Sequence, residues 1–80
     1  MLTNEQMKAG RFLRWHKARK MIGWIQANLA AGRTVDLITY GRVARCKAKH
    51  AGMFKATRTG AYMQRGKAWD CIDYVQLRAY

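Results

Sequence analysis

The pattern of apolar and polar positions changes its period near the middle of the chain. Between residues 4 and 31, apolar residues recur at steps of three and four, which is the spacing of one helix face. Thr3 or Asn4 can cap the start of this segment, and Gly32 suits a left-handed C-cap. We therefore predict a long helix over residues 4–31. Its apolar stripe consists of Phe12, Trp15, Ala18, Ile22, Ile25 and Leu29, with Leu13, Met21 and Trp24 beside it.

Beyond residue 33 the spacing favours strands. Residues 34–40, "TVDLITY", alternate and are rich in β-branched side chains, so they predict a strand. A short strand or turn is expected around residues 54–57, and residues 74–80 fit a last strand or a short helix. Residues 41–50 are ambiguous, because they fit either a strand that continues from Tyr40 or a helix capped by Thr39.

These elements predict an α+β fold, with the long N-terminal helix packed on a small antiparallel sheet of three or four strands. The alternative is a winged helix-turn-helix. Residues 41–50 discriminate between the two, since they form a strand in the first fold and a helix in the second. Eighty residues are expected to form one domain over residues 1–80.

Residues 62–73, "YMQRGKAWDCID", predict a hairpin. A two-residue turn at Arg65-Gly66 would place Tyr62 opposite Trp69. Tyr62 and Trp69 then share one face of the hairpin, and the other face is small and aliphatic and suits packing on the helix. If the two aromatic side chains are exposed, they form a platform for stacking bases. If they are buried, only the tip cations Arg65 and Lys67 touch a partner.

The charge of the chain narrows the class of partner. Sixteen Lys and Arg stand against four Asp and Glu, for a net charge of +12. So much self-repulsion costs stability, and a polyanionic partner is the usual reason for a domain to carry it. The basic residues are spread over the whole chain, which favours a charged folded surface over a disordered arm.

The candidate nucleic-acid-binding residues fall into four groups. Two groups are basic stripes, one on the predicted helix and one on residues 41–50, and the others are the hairpin tip and the aromatic pair. Cations on these elements neutralise phosphates, and aromatic rings stack on bases. In chain order the groups are Lys8, Arg11, Arg14 and Lys17; Arg42, Arg45, Lys47 and Lys49; Arg65 and Lys67; and Tyr62 with Trp69.

Other chemistry is poorly supported. Gly66-Lys67 resembles part of a phosphate loop, but Ala61 and Ala68 replace the first glycine and the Ser/Thr that the loop requires. A zinc site would need ligands from distant segments, namely Cys46, His50, Cys71 and His16, without a short Cys-Cys spacing. The carboxylates have no evident His partner for acid-base work. We therefore predict no enzyme activity, no metal and no cofactor.

The favoured function is non-enzymatic nucleic-acid binding, with DNA ahead of RNA. The size and charge of the chain are typical of small regulators of mobile elements or bacteria. The alternative is a small inhibitor or adaptor that docks on an acidic protein surface, for example on a nucleic-acid enzyme. A helix with cations on one side also fits a membrane surface, as a lesser alternative. Residues 1–6 are polar, so no secretory signal is expected, and we predict a cytoplasmic protein. The sequence is compatible with a homodimer.

Overall fold

The computed structural model describes residues 18–39, 41–73 and 75–80, which form an α+β fold and confirm the predicted class. Within these residues, one α-helix, α1 (Ala18–Ala30), precedes six strands. Residues 1–17 lie outside the described residues, and with them the first part of the predicted helix and its cations Lys8, Arg11, Arg14 and Lys17. The strands are β1 (Val35–Thr39), β2 (Arg42–Cys46), β3 (Phe54–Thr57), β4 (Gly60–Arg65), β5 (Ala68–Cys71) and β6 (Gln76–Ala79).

The strands form two antiparallel sheets of three strands each, so the prediction of a single sheet is wrong. Sheet A has the order β2-β1-β6, and sheet B has the order β3-β4-β5. The chain leaves sheet A after β2, where a short 3-10 helix (Ala48–Met53) turns it away. The next three strands therefore pair with one another, and only β6 returns to pair with β1.

The winged helix-turn-helix alternative is also wrong. Residues 41–50 contain β2 and the start of the 3-10 helix, where the alternative requires an α-helix. The predicted strand over residues 34–40 is confirmed as β1, with Tyr40 outside the described residues. The predicted short strand at residues 54–57 is confirmed as β3, and the last segment forms the strand β6.

One hydrophobic core joins α1 to both sheets. The predicted stripe is confirmed within α1, because Ile22, Ile25 and Leu29 are buried there. Trp24 and Met21 are buried beside them. Sheet A contributes Val35, Leu37, Cys46, Leu77 and Ala79 to this core, and Phe54, Ala61, Ile72 and Val75 complete it. The helix ends where the sequence predicts, directly before a turn that includes Gly32 at φ +84°.

The hairpin β4–β5 has the predicted faces but a different register. Its two-residue turn is Gly66-Lys67, so Tyr62 pairs with Cys71 and Trp69 pairs with Gln64. The favoured hairpin turns need a positive φ at their first central residue, and Gly66 supplies it at φ +59°. The partner of each residue shifts by two positions relative to the prediction. Because side chains alternate with a period of two, this shift leaves the strand side chains on their predicted faces, whereas Lys67 lies in the turn.

Gly60 and Asp73 join the start of β4 to the segment that follows β5. The Oδ1 atom of Asp73 accepts a hydrogen bond of 2.7 Å from the backbone N–H of Ala61. Gly60 has φ +145°, and a Cβ at this position would lie 2.7 Å from Cγ of Asp73. Only glycine therefore meets both the backbone angle and the close approach of the carboxylate.

Replacing Gly60 by Ala is expected to lower the free energy of unfolding by about 2–4 kcal/mol, from backbone strain and from the displaced Asp73 hydrogen bond. Urea denaturation followed by circular dichroism measures this loss. The matched control is Gly52→Ala in the 3-10 helix, where a Cβ meets nothing within 4 Å. Equal stabilities of the two variants would contradict the structural role of Gly60.

Candidate nucleic-acid interface

The surface of sheet B that faces away from α1 carries the exposed aromatic side chains of the hairpin. Strand alternation turns Phe54, Ala61 and Met63 towards the core. Their neighbours along the strands therefore point the other way. We call this surface the outer face of sheet B, and it consists of Lys55, Thr57, Tyr62, Gln64, Trp69 and Cys71. Of the two arrangements left open by the sequence, the one with Tyr62 and Trp69 facing outward is observed.

Lys55 lies over both aromatic rings of this face. Its Nζ atom is 4.1 Å from the centroid of the Trp69 ring and 5.8 Å from that of Tyr62. Trp69 is 39% exposed, and Tyr62 is half-buried between the outer strands. A cation over an exposed ring contributes about 0.5–1 kcal/mol. The outer face thus holds a positive charge directly against two stacking surfaces.

Lys55 belongs to this face although local patterns in the sequence did not predict it. The turn-favouring pair Thr59-Gly60 is the signal that could locate it, because a hairpin with its turn at residues 58–59 pairs Lys55 with Tyr62. The missing information was the strand order, since Trp69 lies on β5 and Lys55 lies on β3, with β4 between them. A side chain as long as Lys reaches across that middle strand.

Threonine hydroxyls hold the Tyr62 side chain in place. The hydroxyls of Tyr62 and Thr59 are hydrogen-bonded at 2.7 Å, and those of Thr59 and Thr57 at 2.8 Å. The backbone N–H of Thr59 donates to Oγ1 of Thr57 at 3.2 Å. These three residues line an open groove of about 350 Å³ together with Lys55, Arg58 and Trp69. The groove combines two cations, two aromatic rings and three hydroxyl groups.

The hairpin tip presents one paired and one unpaired cation. Nε of Arg65 lies 2.9 Å from Oδ2 of Asp70, and both side chains are largely exposed, so the pair contributes little to stability. Lys67 is exposed in the turn itself. Both predicted tip residues thus remain accessible to a partner, on the same hairpin as Tyr62 and Trp69.

The second predicted basic stripe, on residues 41–50, is not a single stripe. β2 ends at Cys46, so Lys47 precedes the 3-10 helix and Lys49 lies within it. Arg42 and Arg45 lie on opposite faces of β2, because their positions differ by three. All four side chains are exposed, but they are distributed over two elements and two faces.

Arg45 belongs to a buried ion cluster on the outer side of sheet A. Asp36 on the central strand is fully buried and stands opposite Arg45 on β2 and Arg78 on β6. Nε of Arg45 donates to Oδ1 of Asp36 at 2.9 Å, and Nη2 of Arg78 donates to Oδ2 at 2.6 Å. The hydroxyl of Tyr80 also donates to Oδ2, at 3.1 Å. One carboxylate therefore links all three strands of sheet A.

The environment of Asp36 favours its ionised form. Burial raises the pKa of this carboxyl, but the hydrogen bonds from Arg45, Arg78 and Tyr80 outweigh that effect and hold the pKa below the usual 3.8. The pKa values of Arg45 and Arg78 are raised, first of all by their hydrogen bonds to Asp36. The cluster keeps one negative and two positive charges, and the side chain of Arg45 is still 56% exposed.

Each described carboxylate is engaged within the protein. Asp36 is buried in the cluster, Asp73 accepts a backbone hydrogen bond, and Asp70 pairs with Arg65. Among residues 18–39, 41–73 and 75–80, the cations in ion pairs are Arg45, Arg65 and Arg78. Many of the other cations are exposed and unneutralised, which leaves the described surface strongly positive.

The two cysteines occupy different environments. Both thiols are free, with Cys46 buried in the core and Cys71 exposed on the outer face of sheet B. Burial, and secondarily the charge of Asp36, raises the pKa of Cys46 to about 11. In the described part of the chain, no group of three or more His, Cys, Asp or Glu could hold a metal ion. The imidazole of His50 is engaged locally, since its Nδ1 atom accepts a hydrogen bond of 2.9 Å from the backbone N–H of Lys47.

No helix within the described ranges combines the length and the apolar character needed to cross a bilayer. Comparisons with protein-family models, with curated proteins and with solved structures found no match.

Replacing Asp36 by Asn is expected to lower the free energy of unfolding at neutral pH by about 2 kcal/mol. Two guanidinium groups lose their carboxylate, but both reach solvent, so the loss is smaller than the about 3–5 kcal/mol for a fully buried pair. Chemical denaturation measures the difference. The control Asp70→Asn breaks an exposed pair and should cost at most about 1 kcal/mol. Equal losses would show that the Asp36 cluster adds nothing beyond a surface pair.

The contribution of Asp36 should also depend on pH. Because its pKa is lower in the folded than in the unfolded state, the carboxylate stabilises the fold above its unfolded pKa, near 3.8. That stabilisation is lost as the pH falls through the folded-state pKa. Denaturation of the wild type and of Asp36→Asn over a pH series should therefore show their stabilities converging in acid. A difference that stays constant across the series would contradict this linkage.

The cysteines should differ strongly in reactivity. At about pH 8 a thiol reagent is expected to modify one equivalent quickly, at Cys71, because Cys46 is buried and remains protonated. Both thiols should react after denaturation. The Cys71→Ser variant is the control, and it should show no fast phase. A fast phase that persists in this variant would show that Cys46 is accessible.

Proposed function

We propose that the protein is a non-enzymatic nucleic-acid-binding protein that contacts phosphates through a basic surface, with DNA as the preferred partner ahead of RNA. The observation that carries the proposal is the internal use of the described carboxylates. Asp36, Asp70 and Asp73 are all committed to contacts within the fold. Many cations of the described residues, in a chain of net charge +12, are therefore presented to solvent without a carboxylate partner.

The position of the cations supports the same proposal. Lys55 and Arg58 line the groove on sheet B, and Lys67 extends from the adjoining hairpin tip. Each cation that neutralises a phosphate releases a counterion, which drives binding at low salt. Arg65 and Arg45 add partly neutralised charge at the tip and on sheet A. Such contacts follow a phosphate backbone without requiring a particular base sequence.

A role as a small regulator in the cytoplasm fits this mode of binding. Asp36, Asp70 and Asp73 each have a partner within the fold, which supports a structural role for these carboxylates. We therefore propose that occupancy of nucleic acid, rather than a reaction on it, is the biochemical activity.

Fluorescence anisotropy with labelled duplex DNA, single-stranded DNA and RNA of one sequence tests the proposal. With about four to six phosphate contacts, affinity should fall about 10²–10³-fold between about 50 and 200 mM salt. DNA should bind more tightly than RNA. Absence of binding to all three probes at the lower salt concentration would refute the proposal, as would an affinity independent of salt.

The same protein can be tested for the competing hypothesis of docking on an acidic protein. A stoichiometric protein partner that is captured from a lysate and survives nuclease treatment would favour an inhibitor or adaptor. Under the proposed function, nuclease treatment should release what is captured, because the nucleic acid itself bridges the complex.

A further inference from the structure

We infer that the outer face of sheet B binds a single strand by stacking unpaired bases on Trp69 and Tyr62, with Lys55 and Arg58 contacting its phosphates. This inference rests on the proposed nucleic-acid binding and specifies the form of nucleic acid. It is carried by the conjunction of exposed rings, cations and an open groove on one sheet surface.

The two rings are placed to take separate bases. Tyr62 lies on the central strand and Trp69 on the edge strand, and they are diagonal neighbours because Gln64 is the direct partner of Trp69. Diagonal neighbours in an antiparallel pair are about 7–8 Å apart. A hydrogen bond of 2.7 Å joins the hydroxyls of Thr59 and Tyr62, so the Tyr62 ring is already oriented before a ligand binds.

Lys55 occupies the position that a base would take. Its Nζ lies 4.1 Å from the Trp69 ring, and a stacked base would displace it towards the phosphate backbone. Loss of an exposed cation–π contact corresponds to about a two- to fivefold change in an equilibrium constant. Stacking a base on an aromatic side chain corresponds to about a five- to 100-fold change. The exchange therefore favours the base, and the displaced ammonium gains a phosphate.

A single strand fits this surface better than a duplex. In a duplex the faces of the bases are covered by their neighbours, whereas unstacked bases expose theirs to aromatic side chains. The surface defined as the outer face of sheet B carries Lys55 and no carboxylate. An anionic strand therefore meets no like charge from the residues of that face.

The test is the affinity of the Trp69→Leu variant for a dT oligonucleotide of about ten nucleotides and for a duplex. Binding to the dT oligonucleotide should weaken about 5–100-fold. Duplex binding and the salt dependence of both should stay unchanged, because no cation is removed. The Trp69→Phe variant should retain most of the affinity, since it keeps a ring.

The matched control is Val43→Thr, which changes a 54% exposed apolar side chain on sheet A without altering its branching. It should bind like the wild type, and thermal melting checks that every variant is folded. A second measurement needs no variant. Bound dT oligonucleotide should slow the modification of Cys71, which pairs directly with Tyr62, at least about fivefold, whereas bound duplex should leave that rate unchanged.

The outcomes separate this inference from the proposed function. Three results would overturn the stacking inference and leave phosphate binding intact, provided that binding still depends on salt. They are tighter binding of the duplex than of the dT oligonucleotide, equal affinities of the Trp69→Leu and Val43→Thr variants, and no protection of Cys71. Absence of binding to both the oligonucleotide and the duplex would overturn both. Protection of Cys71 by a protein partner alone would also overturn the inference, because the face would then be a protein interface. Tighter binding of the dT oligonucleotide, its loss in Trp69→Leu and its protection of Cys71 would support it.

Discussion

The carboxylate of Asp36 holds the three strands of sheet A together across their outer side. It is buried, it lies on the central strand, and it receives Arg45 from one neighbour and Arg78 from the other. A buried charge is costly unless it is paired and fully hydrogen-bonded, so this pairing constrains the register of both flanking strands. Tyr80 completes the set by donating to Oδ2 and by lying within cation–π distance of both guanidinium groups.

The same use of carboxylates explains how a chain of such high charge keeps a folded structure and a positive surface. The described acids all form contacts within the fold, at the sheet A cluster, at the Ala61 amide and, with little effect on stability, at the exposed hairpin tip. None of these contacts lies in the groove of sheet B, where Lys55 meets Trp69. The contacts of the described acids and the cations of the groove thus lie in separate parts of the molecule, and a substitution in one part is expected to leave the other unchanged.

Local patterns predicted the elements whose form depends on near neighbours. Ile22, Ile25 and Leu29 follow the helix period, and β1 and β3 follow strand composition, so these were found. The faces of the hairpin were also predicted correctly, although the predicted register was wrong by two positions. Side chains alternate between the two faces of a strand, so a shift by an even number of residues does not change the face. The second sheet, the pairing of β1 with β6 and the approach of Lys55 to Trp69 were not predicted. They depend on which distant strands become neighbours, and local patterns of residues do not specify that order.

The pairing of β1 with β6 also sets an order of events during synthesis. β6 emerges from the ribosome after all the other described elements, and it supplies Arg78 and the second neighbour of β1. Until then Asp36 has only Arg45 as a charged partner within sheet A, and one edge of β1 is free to pair with another chain. Sheet B is built from contacts close in sequence and can form earlier. The outer face of sheet B can therefore form before β6 completes sheet A and the core.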